Sequence, residues 1–191
     1  MIETTSIVIA GVGGQGSLLA SKLMGTLLLN EGYDVKVSEV HGMSQRGGSV
    51  ITCVRYGEKV FSPLIEKGEA DYVVSFEMLE AARYIDRLKP NGVLITGIQQ
   101  IDPMPVIVGN ADYPYDILNP VKNKGINVDA IDALTLAMRA GSVKAVNMVM
   151  LGRLAKHMPL SEANWMLAIE QVLSKKLVEL NKKAFRLGFD Y

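Results

Sequence analysis

The sequence predicts an α/β fold, a three-layer Rossmann-like domain with a mostly parallel, mixed sheet and a helical C-terminal region. Three observations lead to this prediction. Short β-branched runs alternate with helical patterns from residue 5 to residue 130, the first run ends in a glycine-rich turn, and residues 131–191 follow a helical pattern throughout. Because 191 residues with 49% hydrophobic content suffice for one well-packed core, we expect residues 1–191 to form a single domain.

The first elements predict a βαβ unit followed by a hairpin. Residues 5–10 (TSIVIA) fit a strand that is buried on both faces, and the leucines of residues 16–30 share one helical face. Residues 34–40 alternate as a second strand. Residues 49–56 (SVITCVRY) and the short run VFS at 60–62 predict an antiparallel hairpin, which makes the sheet mixed.

The middle of the chain predicts the remaining strands. Residues 71–76 (DYVVSF) form a buried strand that leads into a helix over residues 77–88, which Lys89-Pro90-Asn91-Gly92 ends. Further strands are predicted at residues 93–96, 106–108 and 126–130, with prolines between them.

The C-terminal region predicts helices over residues 131–139 and 143–157, and a last helix for which Ser161 is the N-cap. Residues 143–154 are apolar around most of the helix, which suits either a central helix or one that is trapped between subunits. With ten methionines in the chain, this pattern favours an obligate protein interface.

Charge and cysteine content exclude several classes of protein. The formal net charge is +0, from 20 basic and 20 acidic residues, so the basic surface that nucleic acids require is absent. No segment has the length of apolar residues that a membrane span or signal peptide needs, and we expect a cytoplasmic protein. The single cysteine, Cys53, excludes an internal disulfide and cannot hold an iron–sulfur cluster.

A glycine-rich loop with the spacing G-x-G-x-x-G follows the first strand at Gly11, Gly13 and Gly16. Exposed N–H groups and the dipole of the following helix favour an anion such as a phosphate there. Glu39, near the end of the second strand, is suitably placed to meet a ribose hydroxyl of a dinucleotide. The alternative is that the glycines only let the helix pack tightly on the sheet, with Glu39 solvated.

A second glycine-rich loop, HGMSQRGGS from His41 to Ser49, leaves the second strand at the same edge of the sheet. Arg46 offers a planar fork for a carboxylate or phosphate, and His41 titrates near neutrality. Ser44 and Gln45 offer neutral hydrogen bonds. The two loops therefore predict a shared site, although a long surface turn with a solvated arginine remains an alternative.

The two motifs together, GVGGQG and SEVHGMSQRGGSV, make the sequence resemble the gamma-type subunit or domain of 2-oxoacid:ferredoxin oxidoreductases, most closely the indolepyruvate branch. The resemblance implies a heteromeric enzyme that oxidatively decarboxylates an arylpyruvate to an acyl-CoA and reduces ferredoxin. It also implies that thiamine diphosphate, magnesium and the iron–sulfur clusters belong to a larger partner subunit, that CoA is a co-substrate, and that this chain is inactive alone. The sequence agrees, since it has no G-D-G motif followed by paired asparagines for thiamine diphosphate.

Under this resemblance no residue of the chain is catalytic and none binds a metal. The two loops are expected to contribute to substrate or cofactor binding through Gly11, Gly13, Gly14, Gln15, Gly16, Ser17, Glu39, His41, Ser44, Gln45, Arg46, Gly47 and Gly48. Two alternatives remain at this point. One is a stand-alone NAD(P)-binding Rossmann oxidoreductase, for which Glu39 and the glycine loop are the only support, and the other is a non-catalytic nucleotide-binding regulatory module.

Overall fold

A computed structural model describes residues 4–41 and 47–191, and it contains the predicted α/β fold around a six-stranded sheet. The strands are β1 (Thr5–Val12), β2 (Asp34–His41), β3 (Ser49–Gly57), β4 (Ala70–Ser75), β5 (Leu88–Gly97) and β6 (Asn127–Ile131). The helices are α1 (Ser17–Asn30), α2 (Met78–Tyr84), α3 (Met104–Ile107), α4 (Leu118–Asn123), α5 (Ala133–Ala140), α6 (Val146–Ala155), α7 (Glu162–Val172) and α8 (Lys175–Phe189).

The sheet is mixed, as predicted, but its antiparallel strand has different partners from those expected. The strand order is β2-β3-β1-β4-β5-β6, and β3 is antiparallel to both β1 and β2, whereas β1, β4, β5 and β6 are parallel. The predicted hairpin between residues 49–56 and 60–62 is therefore wrong. Residues 60–62 form a loop instead, in which the N–H of Val60 donates to the Asp34 carboxylate at 2.8 Å.

Helices α1 and α6 pack on one face of the sheet, and α5, α7 and α8 pack against these two helices. The larger hydrophobic core includes this face of the sheet and all five helices, and a smaller core lies on the other face beneath α2 and α4. Helix α6 is buried along almost its whole length, so it is a central helix and its apolar surface is covered within the chain. Of the two alternatives for this helix, the structure shows the central helix, so its apolar pattern gives no support for an interface between subunits.

Two glycines allow α6 and α8 to cross with their backbones in contact. A Cβ atom on Gly152 would lie 2.0 Å from the carbonyl oxygen of Phe185, and one on Gly188 would lie 1.9 Å from that of Val149. Only hydrogen atoms fit in this space.

Three local predictions differ from the structure. Lys89-Pro90-Asn91-Gly92 lies in an irregular part of β5, because α2 ends at Tyr84 and a 3-10 turn follows it. Residues 106–108 belong to α3 and its end, since Pro103 and Pro105 remove the N–H donors that a strand needs and favour the first turn of a helix. The last helix is interrupted by extended backbone at Leu173 and Ser174.

The Ser161 N-cap is present, and its hydroxyl accepts a hydrogen bond from the N–H of Asn164 at 3.3 Å.

Among the helices of the described ranges, none combines the length and hydropathy that crossing a bilayer requires.

Candidate functional site

The first glycine loop turns sharply between β1 and α1, and some of its N–H groups already donate to carbonyl groups of this chain. The N–H of Gln15 donates to the carbonyl of Val12 at 3.1 Å, and the N–H of Gly13 donates to the carbonyl of Gly48 at 2.8 Å. The N–H groups of Gly14, Gly16 and Ser17 make no hydrogen bond within residues 4–41 and 47–191. Of the amides that the sequence suggests for an anion, these three remain available at the N-terminus of α1.

Gly16 is fixed by two constraints at once. Its φ of +88° lies in the left-handed region, and a Cβ atom there would lie 2.5 Å from Nδ2 of Asn147. The side chain of Asn147, which is 2% exposed, donates to the Gly16 carbonyl at 3.2 Å. Asn147 was not predicted as a site residue, although a single polar residue in the apolar run AVNMVM is a signal for it.

Gln15 connects the ends of three strands. Its Oε1 accepts the N–H of Val12 at 2.8 Å, and its Nε2 donates to the carbonyl of Phe76 at 3.2 Å and approaches Oε1 of Gln99 at 3.5 Å. Val12, Phe76 and Gln99 lie at or just beyond the carboxyl ends of β1, β4 and β5. The structure thus gives Gln15 a positioning role that the sequence did not indicate.

The second glycine loop joins the first through the backbone. Ser44, Gln45 and Arg46 lie outside the described residues, and of His41 only the backbone, at the end of β2, is described. Gly48 accepts the hydrogen bond from Gly13, and Gly47 has a φ of +75°. The structure therefore brings the two loops into contact at one edge of the sheet.

Glu39 lies away from the position that a dinucleotide fold requires. It pairs with Thr52 of β3, whose hydroxyl donates to Oε2 of Glu39 at 3.2 Å. In dinucleotide-binding domains the strand that carries the acidic residue is next to the first strand. Here β3 separates β2 from β1, so the strand that carries Glu39 lies one strand spacing, or about 5 Å, farther from β1 than in those domains.

Two buried carboxylates stand behind the loops at the start of α2. Glu77 is 1% exposed and accepts hydrogen bonds from the N–H groups of Glu80 and Ile101, at 2.9 and 3.2 Å, and from the hydroxyl of Tyr113. Glu80 accepts a hydrogen bond from the hydroxyl of Ser49, the first residue of β3. Neither carboxylate was predicted, but Glu77 and Glu80 have the three-residue spacing of a helix N-terminal box.

Burial changes the titration of this cluster. Burial raises the pKa of Glu80 above its ordinary value, and the hydrogen bond from Ser49 and the charge of Arg83 only partly oppose that rise. The pKa of Tyr113 is raised far above its usual range by burial and by its bond to Glu77. The thiol of Cys53, within β3, also has a raised pKa because it is desolvated, which makes it a poor nucleophile.

A recess of about 240 Å³ opens beside the first loop. It is lined by Gly14, Gln15, Gln99, Leu134, Val143, Lys144 and Val146. Complete sites for small organic ligands usually enclose about 300–1,000 Å³. The recess therefore suits one wall of a larger site, with Lys144 as its cationic group.

Within the part of the chain that the structure describes, no cluster of three His, Cys, Asp or Glu residues could hold a metal ion.

Comparison with known proteins identifies the family. The family model described as pyruvate ferredoxin/flavodoxin oxidoreductase matches residues 6–191. The chain belongs to this family. The family resemblance that the two glycine motifs suggest is thereby confirmed.

Curated relatives in this family have similar lengths. The indolepyruvate oxidoreductase subunit IorB of Thermococcus kodakarensis is 44% identical, with 96% of this chain and 93% of that protein covered. The IorB subunit of Pyrococcus horikoshii is 43% identical over the same shares of the two chains. The common gamma subunit of pyruvate/ketoisovalerate oxidoreductases of Pyrococcus abyssi is 28% identical over 94% of this chain and 92% of that protein.

Solved structures of the family share the fold. The gamma subunit of a keto/oxoacid ferredoxin oxidoreductase from Geobacter sulfurreducens matches with a TM-score of 0.71 and 23% identity, over 97% of this chain and 96% of that one. A 2-oxoglutarate:ferredoxin oxidoreductase from Magnetococcus marinus matches with a TM-score of 0.75 and 19% identity, over 97% of this chain but 30% of that one. In that enzyme the same fold is one part of a much longer polypeptide.

Proposed function

We propose that this chain is the non-thiamine-binding subunit of a 2-oxoacid:ferredoxin oxidoreductase that acts on arylpyruvates, with indolepyruvate as the preferred substrate. The two IorB relatives are 44% and 43% identical over nearly their whole length, whereas the Pyrococcus abyssi pyruvate/ketoisovalerate subunit is 28% identical. This difference favours the indolepyruvate branch of the family.

The reaction converts an arylpyruvate, CoA and two oxidised ferredoxins into an acyl-CoA, carbon dioxide, two reduced ferredoxins and a proton. Thiamine diphosphate with magnesium supplies the carbanion chemistry at the keto carbon, and iron–sulfur clusters carry the two electrons. We assign both groups to the larger partner subunit, because one cysteine cannot hold a cluster and the sequence lacks the thiamine motif. On this assignment the isolated chain has no activity.

The contribution of this chain is one wall of the shared site. The observation that carries the proposal is the contact between the two glycine loops, in which the N–H groups of Gly14, Gly16 and Ser17 have no partner among the described residues and Gly14 lines the open recess. The first turn of α1 contains no acidic side chain, so its N-terminal dipole is not neutralised locally. These amides, Lys144 and the Arg46 that the sequence suggests would stabilise a carboxylate or phosphate of the 2-oxoacid or CoA.

Kinetics of the reconstituted complex test this assignment. In the assembled enzyme, Arg46→Ala and Lys144→Ala should each raise the KM for the 2-oxoacid or for CoA about tenfold while changing kcat little, because a ground-state contact is lost. Lys122→Ala, on α4, is the matched control and should leave both constants unchanged. Unchanged KM values for both variants in an intact complex would contradict the proposed wall.

Two further measurements address the substrate and the cofactor. The kcat/KM of the complex for indolepyruvate should exceed that for pyruvate at least about tenfold, and the reverse order would contradict the arylpyruvate assignment. Isothermal titration of the isolated chain with NAD and NADP should give no binding in the micromolar range. Micromolar binding would instead favour the stand-alone oxidoreductase.

A further inference from the structure

The connection between β5 and β6 carries a cluster of exposed apolar side chains that the proposed site does not use. In residues 102–116, here named the ridge, Met104, Ile107, Val108 and Tyr115 are 63%, 64%, 56% and 80% exposed. Single exposed apolar residues are normal on protein surfaces, but several in one short segment mark an interaction site.

The ridge is held in place by one buried carboxylate. Oε1 of Glu77 accepts the N–H of Ile101, directly before the ridge, and the hydroxyl of Tyr113, near its other end. Within the ridge, the N–H groups of Asn110 and Ala111 both donate to the carbonyl of Pro105, at 2.8 and 3.1 Å. The apolar side chains are therefore presented by a preorganised segment, and less conformational entropy is lost when such a segment binds.

The ridge is continuous with the wall of the proposed site. Gln99, three residues before it, lines the recess and lies 3.5 Å from the Gln15 amide. The carbonyl of Gln99 also accepts the N–H of Met78 at 3.1 Å, which fixes the start of the ridge on α2. A partner that closes the recess would lie next to the ridge.

The charge of the ridge indicates the chemistry of its partner. The ridge contains Asp102, Asp112 and Asp116, and the sequence has no lysine or arginine between Lys89 and Lys122. Asp112 and Asp116 are exposed and form no ion pair within the described residues. An apolar surface bordered by acidic groups complements an apolar groove bordered by basic ones.

We propose that the ridge docks this chain onto the larger subunit of the same oxidoreductase, with Met104, Ile107 and Val108 in an apolar groove whose rim carries lysine or arginine side chains. This inference rests on the proposed function, because that function supplies the larger subunit. The preorganised backbone holds the apolar side chains in the arrangement that fits the groove. The three aspartates orient the ridge by their attraction to the basic rim.

The test is the affinity of this chain for the larger subunit of its own organism, purified with its cofactors. Met104→Lys combined with Ile107→Lys should raise the Kd at least about tenfold, because central apolar contacts carry most of the binding energy of an interface. The control is Leu29→Lys at the far end of α1 from the loops, where Leu29 is 62% exposed, and it should bind as the unaltered chain does. All these side chains are exposed, so each variant should unfold at the temperature of the unaltered chain.

Charge reversal tests the rim separately. Asp112→Lys combined with Asp116→Lys should weaken binding and make it less sensitive to salt. The proposal is overturned if both ridge variants bind within twofold of the unaltered chain. It is also overturned if the isolated chain dimerises and the Met104→Lys, Ile107→Lys variant abolishes the dimer but still binds the larger subunit, since the ridge would then contact a second copy.

The failure of the proposed function would give a different result. If the unaltered chain forms no active complex with the larger subunit, the function and the ridge proposal fail together. If that complex is active on arylpyruvate and the ridge variants assemble normally, only the ridge proposal fails.

Discussion

The N–H of Gly13 donates to the carbonyl of Gly48 at 2.8 Å, and this bond joins two loops that are separated by the whole of α1 and β2. The bond exists because β3 lies directly beside β1, with Val12 opposite Ser49 in the register. The edge of the sheet at which the proposed site lies is therefore built by strand pairing as well as by the glycine motif. Four predictions follow from the packing at this edge and within the helical layer.

Replacing Gly16 with alanine should strongly destabilise the protein. The left-handed φ of +88° disfavours any Cβ atom, and the new atom would lie 2.5 Å from Nδ2 of the buried Asn147. We expect the free energy of unfolding in urea to fall by about 2 kcal/mol or more. Gly25→Ala is the matched control within α1, because no atom lies within 4 Å of the new methyl group. Alanine in that helix should be neutral or stabilising by up to about 1 kcal/mol.

The crossing of α6 and α8 should tolerate no side chain at its two glycines. Gly152→Ala and Gly188→Ala would each place a methyl group about 2 Å from a carbonyl oxygen of the other helix. The helices would have to separate, and we expect a loss of about 3 kcal/mol or a failure to fold. Thermal unfolding monitored by circular dichroism measures the effect. A variant with the stability of Gly25→Ala would show that the crossing is looser than described.

Tyr113→Phe should destabilise the protein by removing one donor from the buried Glu77 carboxylate. Hydrogen bonds to charged groups contribute about 1.5–3 kcal/mol, and we expect a loss within that range in urea titration. Tyr115→Phe is the control, since Tyr115 is 80% exposed and makes no hydrogen bond within the described residues. Equal stabilities of the two variants would contradict the role assigned to Glu77.

The raised pKa of Glu80 predicts a specific dependence of stability on pH. Because the pKa is higher in the folded protein than in the unfolded chain, this group favours folding fully below its ordinary value of 4.5. That contribution is lost as the pH rises through the raised pKa. The unfolding free energy of the unaltered protein minus that of Glu80→Gln should therefore fall between pH 4.5 and neutrality.

Guanidinium titrations of both proteins across this pH range measure the two unfolding free energies. All other titrating groups are common to both proteins, so their contributions cancel in the difference. A difference that is constant with pH, or that rises, would contradict the burial assigned to Glu80.

The sequence predicted the features that depend on local chemistry. The strand β1, the glycine turn and α1 followed from one motif, and the Ser161 cap followed from one side chain. The insertion of β3 could not be predicted in this way, because alternation in residues 49–56 is the same whichever strand pairs with it.

Contacts between distant residues were also missed. Asn147 and Gly16 are 131 residues apart, and Glu77 and Tyr113 are 36 apart. Without the fold, neither residue of such a pair indicates which residue it contacts. Asn147 alone could have been singled out, because it is a polar residue in an apolar run. The prolines at 103 and 105 predict breaks around a strand, whereas in the structure they begin a helix.

The position of β3 also sets this fold apart from those that bind nicotinamide cofactors. In dinucleotide-binding folds the adenosine half of the cofactor lies over the strand beside the first one, and its ribose meets the acidic residue at that strand's end. Here that neighbouring strand runs the other way and presents its amino end, with Gly48 just before it, to the glycine loop. We therefore expect the chain topology to disfavour NAD binding, and no single substitution at residue 39 should convert the domain to NAD binding.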